Sequence, residues 1–453
     1  MSRRIAPGHE ARRIAQEVLV RVETTGAFAD TLLAHRLAGS PLGVADRGLT
    51  TRLVYGTLVW QGRLDHHLGT LLRSSLAGLE PAVRAALRLG LYQLLFLERV
   101  PVYAAVDSSV RLAQTAGRGA VGLVNAVLRR AAAAGRDGLG LPDPGEDPLG
   151  RLAVEWSHPR WLVERWAEEL SLGELPELLA ADNLAGATAL RTNTLRTTRD
   201  TLVAELEAAG VSARPSAWAS DAVVVERNSA ALRELAAWRD GHFAFQGEAS
   251  QLIVPLLGLH SGARVLDVCA APGGKAGHAA ARVGQTGLVV ALDRRAAGVR
   301  RIRDEAARLG VQLVGVVGDA CRPGLHGTFD AVLVDAPCSG LGTLRRHPEL
   351  RWRRRPEDVP RLAALQRDLL AGVAPLVRPG GVLVYAVCTI AREENANVVT
   401  AFAETHPRFA VESVAAAPDP PPASTITSRG FLMTLPHRHG LDGFFAARLR
   451  ARA

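Results

Sequence analysis

Lys275 is the only lysine in a chain of 453 residues; every other position among its 54 Lys+Arg is arginine. Lysine is a compact cation whose pKa responds to its surroundings, whereas arginine is a planar fork, so the two are not interchangeable at a site built around one of them. Lys275 closes the run Val265-Leu-Asp-Val-Cys-Ala-Ala-Pro-Gly-Gly-Lys. This spacing predicts a short apolar strand, a tight turn at Gly273-Gly274 and a small-residue helix over Ala276–Arg282, which turns backbone N–H groups and a helix N-terminus toward a ligand. Two further stretches place a cysteine in the same way. Asp335-Ala-Pro-Cys-Ser-Gly-Leu-Gly follows the apolar strand Ala331–Val334, and Gly380-Gly-Val-Leu-Val-Tyr-Ala-Val-Cys-Thr is a strand that carries Cys388 to its end. If the two strands are neighbours, roughly 4.8 Å apart, Cys338 and Cys388 converge on one pocket. A thiolate there is a strong nucleophile once a cation or helix N-terminus favours it. A lone cysteine is more often inert core, but two in Gly/Pro-rich loops at neighbouring strand tips shift the balance toward chemistry.

The loop before Lys275 excludes the commonest nucleotide motifs. A phosphate-binding loop has Gly-x-x-x-x-Gly-Lys followed by Ser or Thr; here Cys269 stands at the first glycine and Ala276 follows the lysine. The dinucleotide pattern Gly-x-Gly-x-x-Gly is absent as well. Downstream, the pattern predicts strand Gly287–Leu292 ending in Asp293, helix Arg294–Leu309, strand Val311–Val317 with Asp319 at its tip, and strand Phe329–Val334 ending in Asp335. Acidic residues at three successive strand ends suit a nucleoside in the crevice at the carboxyl edge of a parallel sheet. Asp293 can take ribose hydroxyls and Asp319 can sit by an adenine amino group. Any one of the three could be no more than a helix cap, but the set fits S-adenosylmethionine, held by Cys269, Ala270, Ala271, Pro272, Gly273, Gly274, Lys275, Asp293, Asp319 and Asp335.

The remaining composition narrows the class. The chain is long enough for two or three domains, and 48% hydrophobic residues support a substantial core. No apolar run approaches the eighteen or so residues of a membrane span. The pairs Arg3-Arg4 and Arg12-Arg13 precede an amphipathic segment, Ala11–Val22, rather than an apolar one, so they read as surface charge and not as an export signal. A cytoplasmic protein without membrane partner is expected. The formal charge of +9 suggests a polyanionic partner. The four cysteines, Cys269, Cys321, Cys338 and Cys388, form no C-x-x-C pair and meet no His cluster at zinc spacing, so no metal is expected.

Up to about Ala134 the periodicity is helical: Ala11–Thr24, Thr31–Leu37, Asp46–Gln61, Arg63–Leu72, Pro81–Phe96, Pro101–Ala116 and Gly119–Ala133. Residues 1–136 therefore read as an all-helical domain, and 137–150, rich in Gly and Pro, as a linker. Residues 151–240 read as a small α+β segment, with helices Pro159–Leu170 and Thr198–Ala209 and strands near Ala189–Thr192 and Ala222–Val225. Over 241–453 strands and helices alternate, which predicts an α/β, doubly wound, Rossmann-like sheet. The Pro-rich loop Ala417–Ala423 precedes a hairpin-like stretch, Gly430–Leu449.

The loop of Lys275, the Asp335–Gly342 motif and the Cys388 strand, in this order and spacing, resemble the RNA (cytosine-C5)-methyltransferases that carry two active-site cysteines. Phe245-Gln-Gly-Glu-Ala-Ser-Gln-Leu and Ser157-His-Pro-Arg-Trp-Leu-Val-Glu-Arg-Trp extend the likeness upstream. Leu53-Val-Tyr-Gly-Thr-Leu, Leu87-Arg-Leu-Gly-Leu-Tyr-Gln-Leu and Gly122-Leu-Val-Asn-Ala-Val-Leu-Arg-Arg resemble a NusB-type RNA-binding domain. The whole arrangement is similar to the Sun/Fmu type that acts on small-subunit (16S) ribosomal RNA. One departure is Asn183-Leu-Ala-Gly-Ala, where related proteins have an Asn-x-Pro-Pro-like turn; it bears on local geometry, not on the chemistry. The resemblance implies S-adenosylmethionine as cofactor, Cys388 as the nucleophile that adds to cytosine C6, Cys338 as the group assisting release, and Asp335 on the N3/N4 edge of the base. Lys275 either raises the thiolate population or polarises the base.

RNA contact is expected in Leu344-Arg-Arg-His-Pro-Glu-Leu-Arg-Trp-Arg-Arg-Arg-Pro, where basic residues surround an aromatic. Arg345, Arg346, Arg351, Trp352, Arg353 and Arg354 are the candidates, against the alternative of a solvated arginine-rich helix end. A monomer with ribosomal RNA as partner is the expectation. The alternatives are the same reaction on transfer RNA, or a NusB-like RNA-binding regulator without catalysis; the intact set of Lys275, Asp335, Cys338 and Cys388 speaks against the latter.

Overall fold

The computed structural model describes residues 8–136 and 138–452; Arg3, Arg4 and Asp137 lie outside the described residues. The chain forms two compact units, Met1–Asn183 with Leu344–Arg354, and Leu184–Thr343 with Arg355–Ala453. The stretch 151–240, expected as one segment, is thus shared: its helices up to Asn183 belong to the first unit and its strands to the second.

The first unit opens with seven α-helices: α1 (His9–Thr25), α2 (Ala29–Ala38), α3 (Val44–Val59), α4 (Gln61–Leu71), α5 (Pro81–Phe96), α6 (Val102–Leu112) and α7 (Arg118–Ala134). α5 starts with proline at a position whose N–H would have no intrahelical partner. It is buried almost all round, from Val83 to Gln93, which marks it as the central helix of the bundle. Gly56 of α3 has no room for a side chain, because a Cβ there would lie 2.0 Å from the Tyr92 ring. The helix expected over Pro101–Ala116 is α-helical only to Leu112; Ala113–Ala116 tightens into a 3₁₀ turn that ends at Gly117 with φ +93°. A helix not expected from the sequence, Pro148–Glu155, begins inside the linker stretch, where the Asp147 side chain accepts the Gly150 N–H at 3.0 Å. Helices Arg160–Ala167, Leu175–Asp182 and the short Leu350–Arg353 complete this unit.

The second unit holds two sheets. β1 (Thr188–Thr192), β2 (Ser212–Pro215), β3 (Ala222–Arg227) and β4 (Phe243–Phe245) form an antiparallel sheet in the order β2-β3-β1-β4. Leu190, Val223 and Phe243 bury its inner face against Leu202 and Leu206 of the helix Arg199–Ala208. The larger sheet contains β5 (Arg264–Val268), β6 (Leu288–Asp293), β7 (Val314–Val317), β8 (Phe329–Asp335), β9 (Val377–Val387), β10 (Phe409–Glu412), β11 (Leu432–Thr434) and β12 (Phe444–Ala451). Its order is β10-β12-β9-β8-β5-β6-β7, with β11 beside β12. The five strands β7, β6, β5, β8 and β9 run parallel, and β12 is antiparallel to β9.

Covered on both faces, the central strands read as unbroken apolar runs: Val332, Leu333 and Val334 are fully buried. The chain builds outward from β5 through β6 to β7, then crosses to β8 and β9 on the other side. This reversal opens a crevice at the carboxyl ends of β5 and β8, where such sheets bind ligands. β7 is shorter than expected because the chain turns at Gly310 (φ +69°) and buries Val311 before pairing begins at Val314. Among the described residues, no helix is long and apolar enough to cross a membrane.

Candidate active site

The ends of the parallel strands are level. Val268 pairs with Leu292 on one side and Val334 on the other, and Asp335 pairs with Ala386. Everything that follows these positions therefore emerges at one edge: the Cys269–Lys275 loop, Asp293, the Asp335–Gly342 loop and Cys388.

Cys269 leaves β5 with φ +58°, Ala271–Pro272 is a cis peptide, and Gly273 has φ +110°. At Gly273 only glycine fits, since a Cβ would lie 3.1 Å from the Ile302 backbone. The loop is tied to β6 at two points. Ala270 N–H donates to Leu292 O at 3.1 Å and Ala271 N–H to the Asp293 carboxylate at 3.1 Å. Asp293 also accepts the Arg295 N–H at 2.9 Å. Helix Gly274–Val283 then starts without a side-chain cap, so its first N–H groups have no intrahelical partner. Arg191 holds this start from behind, donating to Gly274 O at 2.9 Å. Asp319 is exposed just beyond β7, with its carboxylate on the Cys321 N–H at 3.0 Å.

Lys275 Nζ donates to Asp335 Oδ2 at 2.7 Å, with the lysine side chain one-tenth exposed. Burial acts to lower the lysine pKa, but the Asp335 charge and hydrogen bond outweigh it, so Lys275 is held above its ordinary value. Asp267 and Cys388 add to the field that keeps it charged. Sequence reasoning missed Asp267. It sits inside β5 at 1% exposure with neither carboxylate oxygen hydrogen-bonded among the described residues. Burial, then the neighbouring Asp335, push its pKa well above the usual carboxylate range. Its place among apolar residues of a strand gives no sign of this in the sequence.

Cys338 Sγ and Cys388 Sγ are 3.4 Å apart. The hydrogen bond to Cys388 and then burial drive the Cys338 thiol pKa well above its ordinary value. Burial with the nearby Asp335 charge likewise raises Cys269, which leaves it an inert thiol.

Both loops are anchored by groups that carry no motif. The Glu394 carboxylate accepts the Ser339 N–H at 2.8 Å and the Gln366 side-chain N–H at 3.0 Å. Gln366 also donates to Pro337 O at 3.0 Å, and Tyr385 OH lies 3.0 Å from Gln366 Oε1. Ser339 and Thr389, one on each loop, meet hydroxyl to hydroxyl at 2.9 Å. This buried network spaces the two thiols.

The basic strip behaves differently from expectation. Arg351 is fully buried, not a phosphate contact: it donates to Ser157 O at 3.0 Å, Asn183 Oδ1 at 2.8 Å and Asp182 O at 3.2 Å. Asp182 and Asn183 sit at the end of helix Leu175–Asp182, whose last carbonyls need donors, and Ser157 lies between helices Pro148–Glu155 and Arg160–Ala167. The Asn183 turn, a departure from the family pattern, is fixed by this arginine and by Asn183 Nδ2 donating to Trp156 O at 2.8 Å. Trp352 turns its Nε1–H inward to Leu58 O at 3.0 Å. Arg353 donates to the carbonyls of Gly26 at 2.7 Å, Val22 at 3.2 Å and Ala27. Arg345, Arg346 and Arg354 are half-buried.

Comparison with known proteins agrees with this geometry. Residues 254–450 match the family model "16S rRNA methyltransferase RsmB/F", residues 9–133 match the NusB family, and residues 158–231 match the RsmF/B-like ferredoxin-like domain. The chain is 36% identical to the probable ribosomal RNA small subunit methyltransferase B of Bacillus subtilis (strain 168), over 97% of this chain and 98% of the relative. It is also 36% identical to ribosomal RNA small subunit methyltransferase B of Pseudomonas syringae pv. tomato, over 97% of this chain and 96% of that one. Among solved structures, the crystal structure of PH0851 superposes with a TM-score of 0.84 at 26% identity, covering 98% of this chain and 99% of that chain. The level strand ends, the paired thiols and these matches together establish that the chain belongs to the RsmB/F family of 16S rRNA methyltransferases.

Proposed function

We propose that the protein transfers a methyl group from S-adenosylmethionine to C5 of a cytosine in small-subunit ribosomal RNA, through a covalent bond between Cys388 and C6. The observation that carries this reading is the placement at one sheet edge of a thiol pair, Cys338 and Cys388 at 3.4 Å, with a half-buried ion pair, Lys275 and Asp335 at 2.7 Å.

The crevice fits the cofactor. Gly273 lets the loop turn against Ile302, whose backbone a Cβ would meet at 3.1 Å, the start of helix Gly274–Val283 offers N–H groups for a carboxylate, and Asp293 and Asp319 supply acceptors for hydroxyl and amino groups. Residues Cys269–Lys275 with Asp293, Asp319 and Asp335 are the proposed holders. When bound, the cofactor supplies an electrophilic methyl group on a sulfonium.

Cytosine C5 is a poor nucleophile until electrons are pushed toward it. Cys388, as thiolate, adds to C6; the Sγ–C6 bond forms and the C5–C6 π pair becomes available at C5. Lys275 and Cys388 interact through space, and Cys338 Sγ lies 3.4 Å from the same sulfur. Asp335 accepts the N4–H of the base and orients it, and the Lys275 ammonium, 2.7 Å from Asp335, offsets the negative charge that addition pushes onto the ring. C5 takes the methyl group, its proton passes to water, and the C5–C6 double bond reforms as the Sγ–C6 bond breaks. The departing Cys388 thiolate is received by the Cys338 S–H. The target base has to leave any helical stack to reach the thiols.

Incubation with methyl-labelled S-adenosylmethionine and small-subunit rRNA, followed by mapping of 5-methylcytosine, tests the reading. Label at a discrete cytosine supports it; label absent from rRNA, or present on another atom, rejects it.

A further inference from the structure

Lys275 is held by more than its carboxylate partner. Its ammonium group lies over the ring of Phe444, 5.5 Å from the ring centre. Phe444 is 7% exposed and opens β12, just after the turn that follows β11. The sequence there runs Asp442-Gly443-Phe444-Phe445, and alternation along the strand sends the two rings to opposite faces of the sheet. Phe445 packs on Phe431 and Tyr385 in the core, with ring centres 5.2 and 6.4 Å away. Phe444 goes to the face that carries Lys275.

The turn that carries Phe444 is clamped to both cysteine loops. Gly443 N–H donates to Gly342 O at 2.7 Å, and Gly342 N–H donates to Cys388 O at 3.1 Å. Neither glycine has room for a side chain: a Cβ on Gly342 would lie 2.0 Å from Gly443 O, and one on Gly443 2.6 Å from Ile390. Thr434 fixes the turn from inside, its hydroxyl donating to Asp442 O at 2.7 Å and accepting the Phe444 N–H at 3.0 Å. The ring therefore has a set position relative to the thiol pair. An ammonium group one-tenth exposed has lost most of its water, and it gains from any electron-rich surface that replaces it. A further carboxylate beside Asp335 and Asp267 would supply such a surface but cancel the positive charge that the reaction uses. The face of a phenyl ring attracts a cation through its quadrupole and carries no net charge. Among the described residues the hydrogen bond of Lys275 Nζ goes to Asp335, so carboxylate and ring restrain the ammonium together.

We infer that Phe444 is a positioning residue of the methyl transfer: its ring holds the Lys275 ammonium against Asp335 without adding negative charge to the site. The inference rests on the proposal that Lys275, Asp335 and the two cysteines methylate RNA. The electron density of the ring, and not only its volume, then sets the rate.

The test replaces Phe444 in the full-length protein by trifluorophenylalanine, which nearly keeps the shape of the ring and weakens its attraction for cations. This variant is expected to melt and to bind S-adenosylmethionine like wild type, while single-turnover methyl transfer to rRNA slows by about tenfold, the scale of a desolvated cation–π contact. Phe444→Leu, without a ring, is expected to slow at least as much. An unchanged rate in the fluorinated variant, or a rate that falls only as the melting temperature falls, overturns the positioning role. The contact itself is read without RNA. Lys275 is the only lysine, so isotope-labelled lysine gives one side-chain signal by NMR. In the wild-type protein that signal is expected to be displaced upfield by the ring current of Phe444 and to return to the ordinary lysine position in Phe444→Leu. An ordinary position in wild type overturns the contact. A protein that methylates rRNA without the displaced signal loses only this inference. One that shows the signal but methylates no RNA loses the underlying reading, and the positioning role with it.

Discussion

Cys338 and Cys388 face each other at 3.4 Å although fifty positions separate them, because β8 and β9 are hydrogen-bonded neighbours in parallel register with Asp335 beside Ala386. The two sulfurs differ in their surroundings. The Cys338 thiol is driven to the protonated state by its bond to Cys388 and by burial, while Cys388 lies in the field of Lys275. The proposed roles give attack to Cys388 and assistance in release to Cys338.

Lys275→Met is expected to lower single-turnover methyl transfer by about a hundredfold or more, the usual effect of deleting one preorganised electrostatic group. It leaves Asp267 and Asp335 together without their cation. Lys275→Arg should not restore the rate, because the planar guanidinium cannot take the place of a compact ammonium 2.7 Å from Asp335. Full activity in the arginine variant would remove the special role of this lysine.

Glu394→Ala strands the buried donors of Ser339 and Gln366. A loss of about 2 kcal/mol in stability is expected for each donor left unpaired, with slower methyl transfer as the Cys338 loop loosens. Thermal melting and single-turnover rates on the same preparation check both parts. A variant that melts like wild type and reacts at the wild-type rate would show that the loop holds itself.

Arg351→Leu separates the structural reading of the basic strip from the RNA-contact reading. It leaves Ser157 O, Asp182 O and Asn183 Oδ1 without their donor, so a stability loss of about 3 kcal/mol is expected. The slope of RNA affinity against salt should stay that of wild type, since a buried guanidinium displaces no phosphate counterion. A flattened slope with unchanged melting would reverse the assignment.

His278 is 3% exposed, 3.6 Å from Asp221, and burial, which outweighs the attraction of the Asp221 carboxylate, lowers its pKa from 6.5 to about 4. A histidine with a depressed folded pKa contributes fully above its ordinary value, and that contribution is lost as pH falls toward the folded one. Stability should drop between about pH 6.5 and 4, by about 3 kcal/mol from this group. His278→Gln is expected to flatten the melting temperature over that window. An equally steep acid limb in the variant would assign the loss to other groups.

Much of the site was readable because its chemistry is punctuated locally. An apolar run followed by Pro, Gly and a reactive residue marks the carboxyl end of a buried parallel strand, so the Lys275 and Asp335 loops declared themselves, while the Cys388 strand was marked by the Gly380-Gly381 pair before it. What escaped depends on distant partners. Arg351 looks like one more arginine in a basic run until the helix end at Asp182 and Asn183 folds against it. Glu394, Gln366 and Tyr385 carry no motif, and their meeting depends on how helix Asp358–Val373 lies on the sheet. Asp267 sits in an apolar strand as an isolated carboxylate, and only burial shows how unusual it is.

The thiol roles are tested most directly by trapping the covalent step. With labelled rRNA and S-adenosylmethionine, Cys338→Ala is expected to accumulate a denaturant-resistant protein–RNA adduct, because addition proceeds while release is impaired. Cys388→Ala and the double variant should form none. An adduct trapped only in Cys388→Ala would exchange the two roles, and its absence from every variant would contradict covalent catalysis by Cys388.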